Sequence, residues 1–209
     1  MPGYRIDHII YAVRDIDVVT DRFATRYGLA AVPGGMHPTW GTANRIVPLG
    51  HEYLELVHVV DPDVAAANDF GRGILAAAEH GDRLAAWAVA TDDLDADAVR
   101  LGLEVTSGSR TRPDGSILRW HLAGVSDALR SAALPFFIAW HVPTELHPGA
   151  MAAPHRIQPE AITQLELLGD PGDIDAWLGP HDLPVTTRTG ASSLAAVNIR
   201  TRAGTITIS

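Results

Sequence analysis

The chain repeats itself. The stretch Arg5-Ile6-Asp7-His8-Ile9-Ile10-Tyr11-Ala12-Val13-Arg14-Asp15-Ile16-Asp17 finds a counterpart in Arg83-Leu84-Ala85-Ala86-Trp87-Ala88-Val89-Ala90-Thr91-Asp92-Asp93-Leu94-Asp95, 78 positions on and without a gap. Such a repeat narrows the choice of folds, because each copy is a supersecondary unit that needs its neighbour to bury an apolar face. Both copies open on an apolar run of strand length, pass a charged turn containing Asp, and enter a helical pattern. In the first copy Ile16, Val19, Phe23 and Tyr27 recur at helical spacing and Gly28 ends the helix. In the second, Leu94, Ala98 and Leu101 do the same and Gly102 follows.

Strand-like segments come next in each copy. In the first they cover residues 29–32, 44–49 and 53–59, with Pro33-Gly34-Gly35 and Gly50 as breaks. In the second they cover 103–106, 117–123 and 136–142, with Pro113-Asp114-Gly115 between the first two. A shorter third version reads as a strand at 162–168, a helix at 173–178 and strands at 185–187, 194–200 and 205–208. The expected organisation is a βαβββ module over residues 1–60, a helical connector over 61–82 and a second βαβββ module over 83–143. A linker and a partial third module fill 144–209, the Pro-, His- and Gly-rich stretch 143–159 being read as a surface crossing.

Composition removes several classes of function. Hydrophobic residues are 46% and charged residues 20% of the 209, the balance of an ordinary globular protein with enough apolar material for a large core. Arg accounts for all 16 basic residues against 25 acidic ones, a net charge of -9 without a basic stripe, so no nucleic-acid partner is expected. The absence of Lys excludes a Schiff-base or P-loop lysine, and the absence of Cys excludes disulfides, thiolate nucleophiles and Cys-based zinc sites. No apolar run approaches the length of a membrane span and no leader is visible, which makes the cytoplasm the expected location and a membrane an unexpected partner. Dinucleotide, Walker A, His-Glu-x-x-His and nucleophile-elbow motifs are missing.

Paired βαβββ modules that open with Asp-His resemble the vicinal oxygen chelate superfamily, and the first module is most similar to its glyoxalase-like domain proteins. The resembling residues are Asp7-His8-Ile9-Ile10-Tyr11-Ala12-Val13, then Gly34-Gly35-Met36-His37-Pro38-Thr39-Trp40-Gly41-Thr42-Ala43-Asn44, Pro48-Leu49-Gly50 and Tyr53-Leu54-Glu55-Leu56. The resemblance implies an α+β fold in which the modules form a cupped sheet around a small ligand. It also implies a divalent metal (Zn, Fe, Mn or Ni) held by His8 on the first strand and Glu55 on the fourth, the same two residues serving catalysis.

Alternation puts His8 on one face with Ile6, Ile10 and Ala12, the concave one, and Ile9, Tyr11 and Val13 on the other. Glu55 shares a face with Tyr53 and Val57, between the core-facing Leu54 and Leu56. A hydrogen-bonded structural His and a solvated Glu are the alternatives. The repeat weakens the metal expectation, because it matches His8 with Ala86, and aligning the closing strands matches Glu55 with Ile138. His121, His141 or Gln164 would have to substitute.

Further candidates for the pocket are His37, Trp40 and Asn44, in a loop where Gly41 permits close backbone approach; a turn capped by Asn44 is the alternative. Arg119 could clamp an anion together with Arg45, or both could pair with surface carboxylates. Trp140 and His141 offer an aromatic wall with a titratable neighbour, or a core Trp beside a bonded His. The resemblance implies one of two functions: a metal-assisted lyase, isomerase or dioxygenase acting on a small oxygenated metabolite, or a non-catalytic small-molecule binder on the same scaffold. A homodimer is open as a way to complete a site.

Overall fold

The computed structural model describes residues 3–111 and 117–209. The first module runs β1 (Arg5–Ala12), α1 (Ile16–Arg22), β2 (Val32–His37), β3 (Thr42–Pro48) and β4 (Tyr53–Val59). Two helices, α2 (Pro62–Ala66) and α3 (Asp69–Glu79), lead to the second module: β5 (Arg83–Ala90), α4 (Leu94–Leu101), β6 (Val105–Thr111), β7 (Ile117–Ala123), α5 (Val125–Arg130) and β8 (Phe136–Trp140). The third run is β9 (Pro159–Leu168), α6 (Pro171–Leu178), β10 (Val185–Arg188), β11 (Ser193–Thr201) and β12 (Gly204–Ile208).

The repeat is visible in the helix caps. Asp15 accepts from the Asp17 and Val18 amides to start α1, and its counterpart Asp93 accepts from the Ala96 amide to start α4. A π-helical turn over Phe23–Tyr27 extends the first helix to Gly28. One eight-stranded sheet has the order β2-β3-β4-β1-β5-β8-β7-β6, symmetric about the antiparallel β1–β5 pair, and β2 approaches β6 so that the sheet nearly closes. Both halves of the cup come from one chain.

On the outer face Ile9, Tyr11, Leu54, Leu56, Trp87 and Val89 pack beneath α1 and α4, as the alternation predicts. The same core continues into Leu165, Leu167, Val197 and Ile199 of a four-stranded sheet ordered β10-β9-β11-β12. That sheet carries the βαβββ element order, but its first strand pairs with its second and third strands rather than its fourth, so its topology differs from that of the modules before it. On the inner face Ile10, Val57, Ala86, Leu122, Phe136 and Ile138 join Phe70 and Ile74 of α3, which stops one end of the cup.

Several boundaries shift for tertiary reasons. β2 runs through the Pro-Gly-Gly segment expected to break it, because those glycines leave room for side chains from β3 and β6. β6 extends well past residue 106 to meet β7, whereas Pro113-Asp114-Gly115 lies outside the described residues. α5 was not legible from periodicity. The stretch read as a surface crossing contains two 3₁₀ turns, Thr144–Leu146 and Pro148–Ala150, and buries Pro148 and Gly149.

Candidate functional site

The floor of the cup is set by an irregularity in β1. Ile6 pairs with Val89 and His8 with Ala88, so Asp7 is an extra residue, a β-bulge. The bulge breaks the alternation: Ile6 joins the outer core rather than sharing a face with His8. It also buries Asp7 to 3% exposure beside His8 at 4%. Asp7 Oδ1 lies 2.6 Å from His8 Nδ1, while Oδ2 accepts from Trp140 Nε1 at 3.0 Å and from His147 Nε2 at 3.1 Å. The Gly149 amide donates to His147 Nδ1, which assigns the His147 proton to Nε2. Burial alone would raise the Asp7 pKa; hydrogen bonds from His147 and His8 outweigh it and bring the carboxyl from 3.8 down to about 2. An anionic Asp7 fixes the His8 proton on Nδ1 and leaves Nε2 facing Glu55 Oε2, 3.6 Å away. The His8 ring stacks on Tyr53 at 4.6 Å between centroids and meets the edge of Phe136 at 5.4 Å.

Glu55 is anchored from the other side. Its Oε1 accepts from Asn44 Nδ2, and Asn44 Oδ1 accepts from the Gly35 amide at 2.6 Å. The register pairs Asn44 with Val57 and Ile46 with Glu55, so Asn44 and Glu55 are diagonal neighbours on one face of the β3–β4 pair. A side chain at Gly34 would place its Cβ 1.9 Å from Asn44 Oδ1. Asn44 is therefore a buried polar partner of Glu55 rather than a turn cap.

His37 ends β2, its Nδ1 3.1 Å from Thr42 Oγ1. Burial lowers its pKa; the Glu55 charge opposes this and Arg110 adds to it. Trp40 stands against His37 and Phe70, and Gly41 (φ +68) lets this turn approach α2, where a Cβ would lie 2.4 Å from the Asp61 carbonyl oxygen. These side chains line one cavity. His8, His37, Asn44, Glu55 and Arg110 supply its polar wall; Trp40, Tyr53, Phe70, Trp120, Phe136 and Trp140 supply its aromatic one.

Not every candidate reaches the cavity. Arg119 is exposed on β7, on the face opposite Trp120, and Arg45 bonds to Thr20 and Asp17 on the outer surface, so the two do not form a clamp. His141 is exposed and paired with His121 at 3.1 Å. Gln164 bonds to Thr186 and Asn198 in the second sheet.

A family model described as a glyoxalase-like domain matches residues 6–179. The chain belongs to the glyoxalase-like domain family. It thereby falls within the vicinal oxygen chelate superfamily. Among solved structures, a hypothetical protein from Staphylococcus aureus is similar at 15% identity with a TM-score of 0.68, covering 92% of this chain and 88% of that one. Methylmalonyl-CoA epimerase from Mycobacterium tuberculosis is similar at 17% identity and TM-score 0.44, over 65% of this chain and 85% of that one. A Streptomyces coelicolor methylmalonyl-CoA epimerase in complex with 2-nitronate-propionyl-CoA gives 20%, 0.46, 65% and 95% for the same measures. Comparison with curated proteins finds no match.

Within this glyoxalase-like cup the donor set for a metal is half of one. His8 Nε2 and Glu55 Oε2 could share an ion, but no third His, Cys, Asp or Glu joins them among the described residues. The strand register explains the shortfall. Ile10 pairs with Glu55 across β1–β4, and its repeat counterpart Ala88 pairs with Phe136 across β5–β8. Phe136, not Ile138, therefore occupies the position equivalent to Glu55, and Ala86 the one equivalent to His8. Both are buried and apolar, so the residues do not fit a closed metal centre.

Sequence reasoning missed Asp7, His147 and Arg110. The Asp-His pair on β1 was a signal for the first, and the two adjacent glycines of β2 were a signal that other side chains come close there. Nothing local pointed to His147, which lies 140 positions from its partner.

Proposed function

We propose that this glyoxalase-like chain handles a small oxygenated metabolite in the cavity and moves a proton on it, in isomerase- or lyase-type chemistry, with Glu55 and His8 as the exchanging groups. The observation that supports this reading is the chain of hydrogen-bonded groups Asp7–His8 facing Glu55–Asn44, buried at one end of an aromatic cavity. Glu55, held by Asn44, serves as the base toward a carbon-bound proton next to a carbonyl. His8, its Nδ1 proton held by Asp7, presents an unprotonated Nε2 that takes the proton of a substrate hydroxyl and delivers it to the neighbouring carbonyl oxygen, while Glu55 returns the proton it removed to the adjacent carbon.

A panel of 2-oxoaldehydes, thiol adducts of aldehydes and hydroxyketones, incubated with EDTA-treated protein in deuterium oxide, tests the reading by NMR. Catalysed exchange at the carbon next to the carbonyl is expected for at least one of them, falling by about 10²–10⁴ in Glu55→Gln and in His8→Gln. Exchange that survives in both variants would remove these groups from the mechanism. The apolar second half of the cup, with Phe136 in place of a second carboxylate, favours a second reading, a binding protein. Saturable binding of panel members without exchange would replace the first reading with that one.

A further inference from the structure

We propose that the ligand carries a single carboxylate on an apolar, planar body, and that Arg110 receives this carboxylate. The proposal deepens the reading above by naming the ligand class and does not need the proton transfer to occur.

Arg110 comes from β6, the strand that faces β2 where the sheet nearly closes, and its side chain lines the cavity. Room for it has been made in the opposing strand. A Cβ on Gly35 would lie 2.3 Å from Arg110 Cδ and 3.1 Å from its Nη1, so any larger residue there would displace the guanidinium arm. The Gly34-Gly35 pair thus admits two polar side chains at once, Asn44 through the first glycine and Arg110 through the second. Arg110 is half-buried and lines the same cavity as His37 and Tyr53, which sit on different strands of the first module.

The acid and the two histidines of the lining have partners among the described residues. Glu55 holds Asn44 and faces His8, His8 holds Asp7, and His37 lies beside Thr42 and is driven toward its neutral form. Arg110 is the one permanent cation among the described lining residues. A guanidinium presents a planar fork of donors that matches a carboxylate in two parallel bonds. A dianionic phosphate is the poorer match, since only one guanidinium would oppose it and Glu55 shares the cavity. The body of the ligand would rest on Trp40, Phe70, Trp120, Phe136 and Trp140.

Isothermal titration calorimetry with three probes of one shape tests this: phenylacetate, the neutral phenylacetamide and phenyl phosphate. None of them needs to react, so the outcome is independent of Glu55 chemistry. Wild type is expected to bind phenylacetate about tenfold or more tightly than phenylacetamide, the scale of one charge-assisted bidentate pair. Arg110→Gln should abolish that preference while leaving phenylacetamide affinity within about twofold. Gly35→Ala, which leaves the guanidinium in the chain but pushes it aside, should abolish it as well, and keeps the test alive if Arg110→Gln does not fold. Equal binding of the acid and the amide, no saturable binding of phenylacetate, or a preference that persists in both variants overturns the proposal. Tighter binding of phenyl phosphate than of phenylacetate overturns the choice of a carboxylate.

Discussion

The two modules that meet along β1 and β5 have the same order of elements and the same helix caps, yet they furnish the cavity differently. The first contributes His8, His37, Asn44 and Glu55 beside Trp40 and Tyr53; the second contributes Trp120, Leu122, Phe136, Ile138 and Trp140 and, among its described polar residues, Arg110 alone. A repeated fold therefore does not repeat the chemistry. The residues that hold the repeat together are the outward-facing ones, such as Ile9 and Trp87, which pair across the seam and must stay apolar in both copies. The inward-facing ones pack against the ligand space, so one copy could lose its polar groups without losing its fold.

This division of labour breaks most severely at the seam. Trp87 is fully buried opposite Ile9, and its indole donates to the Ala133 carbonyl at 3.1 Å. Trp87→Ala is expected to cost about 3–5 kcal/mol in urea unfolding, as large-to-small changes in a packed core do. A cost below about 1 kcal/mol would mean that the modules do not depend on each other.

A smaller effect sharpens the polar half. Asp7 has a pKa of about 2 in the folded chain against an ordinary 3.8, so the unfolded carboxyl binds its proton more tightly and acid favours unfolding. Its contribution, about 2 kcal/mol, is present above pH 4 and fades as the pH falls toward 2. Between pH 5 and pH 2.5 wild type should lose about 1–2 kcal/mol more than Asp7→Asn does, measured by urea titration at each pH. Parallel losses in the two proteins would show that Asp7 is not held as its three donors imply.

The least effect is expected where the second module turns outward. Arg119→Ala and His141→Ala should each shift stability by no more than about 0.5 kcal/mol and leave ligand affinity unchanged, because both side chains are exposed and outside the cavity. A thermal melt together with the phenylacetate titration checks both. A tenfold loss of affinity in either variant would move the site to the outer surface.

Much of the scaffold was legible along the chain. The period-2 pattern separates Ile9 and Tyr11 from Ile10 and Ala12, and Leu54 and Leu56 from Tyr53 and Glu55, because side-chain direction on a strand is a local property. The gapless repeat identified the β1–β5 symmetry, and Asp-to-Gly punctuation located the helices. His8, His37, Trp40, Asn44, Glu55 and Trp140 were all named as pocket candidates from sequence and all line the cavity. Arg119 and His141 were not separable from them, since an Arg or a His in a strand reads the same whichever side of a curved sheet it faces.

What tertiary structure alone decided concerns contacts across long stretches of chain. The bulge at Asp7 depends on how β1 registers against β5, and that register is a property of two strands rather than one. His147 reaches Asp7 only because the segment after β8 folds back over the cup, and Arg110 reaches the cavity only because β6 closes against β2. Amino-acid order along the chain determined which faces are apolar and where elements begin. The near-closure of the sheet determined which polar groups share one desolvated space, because closure brings together strands whose sequence separation hides their proximity.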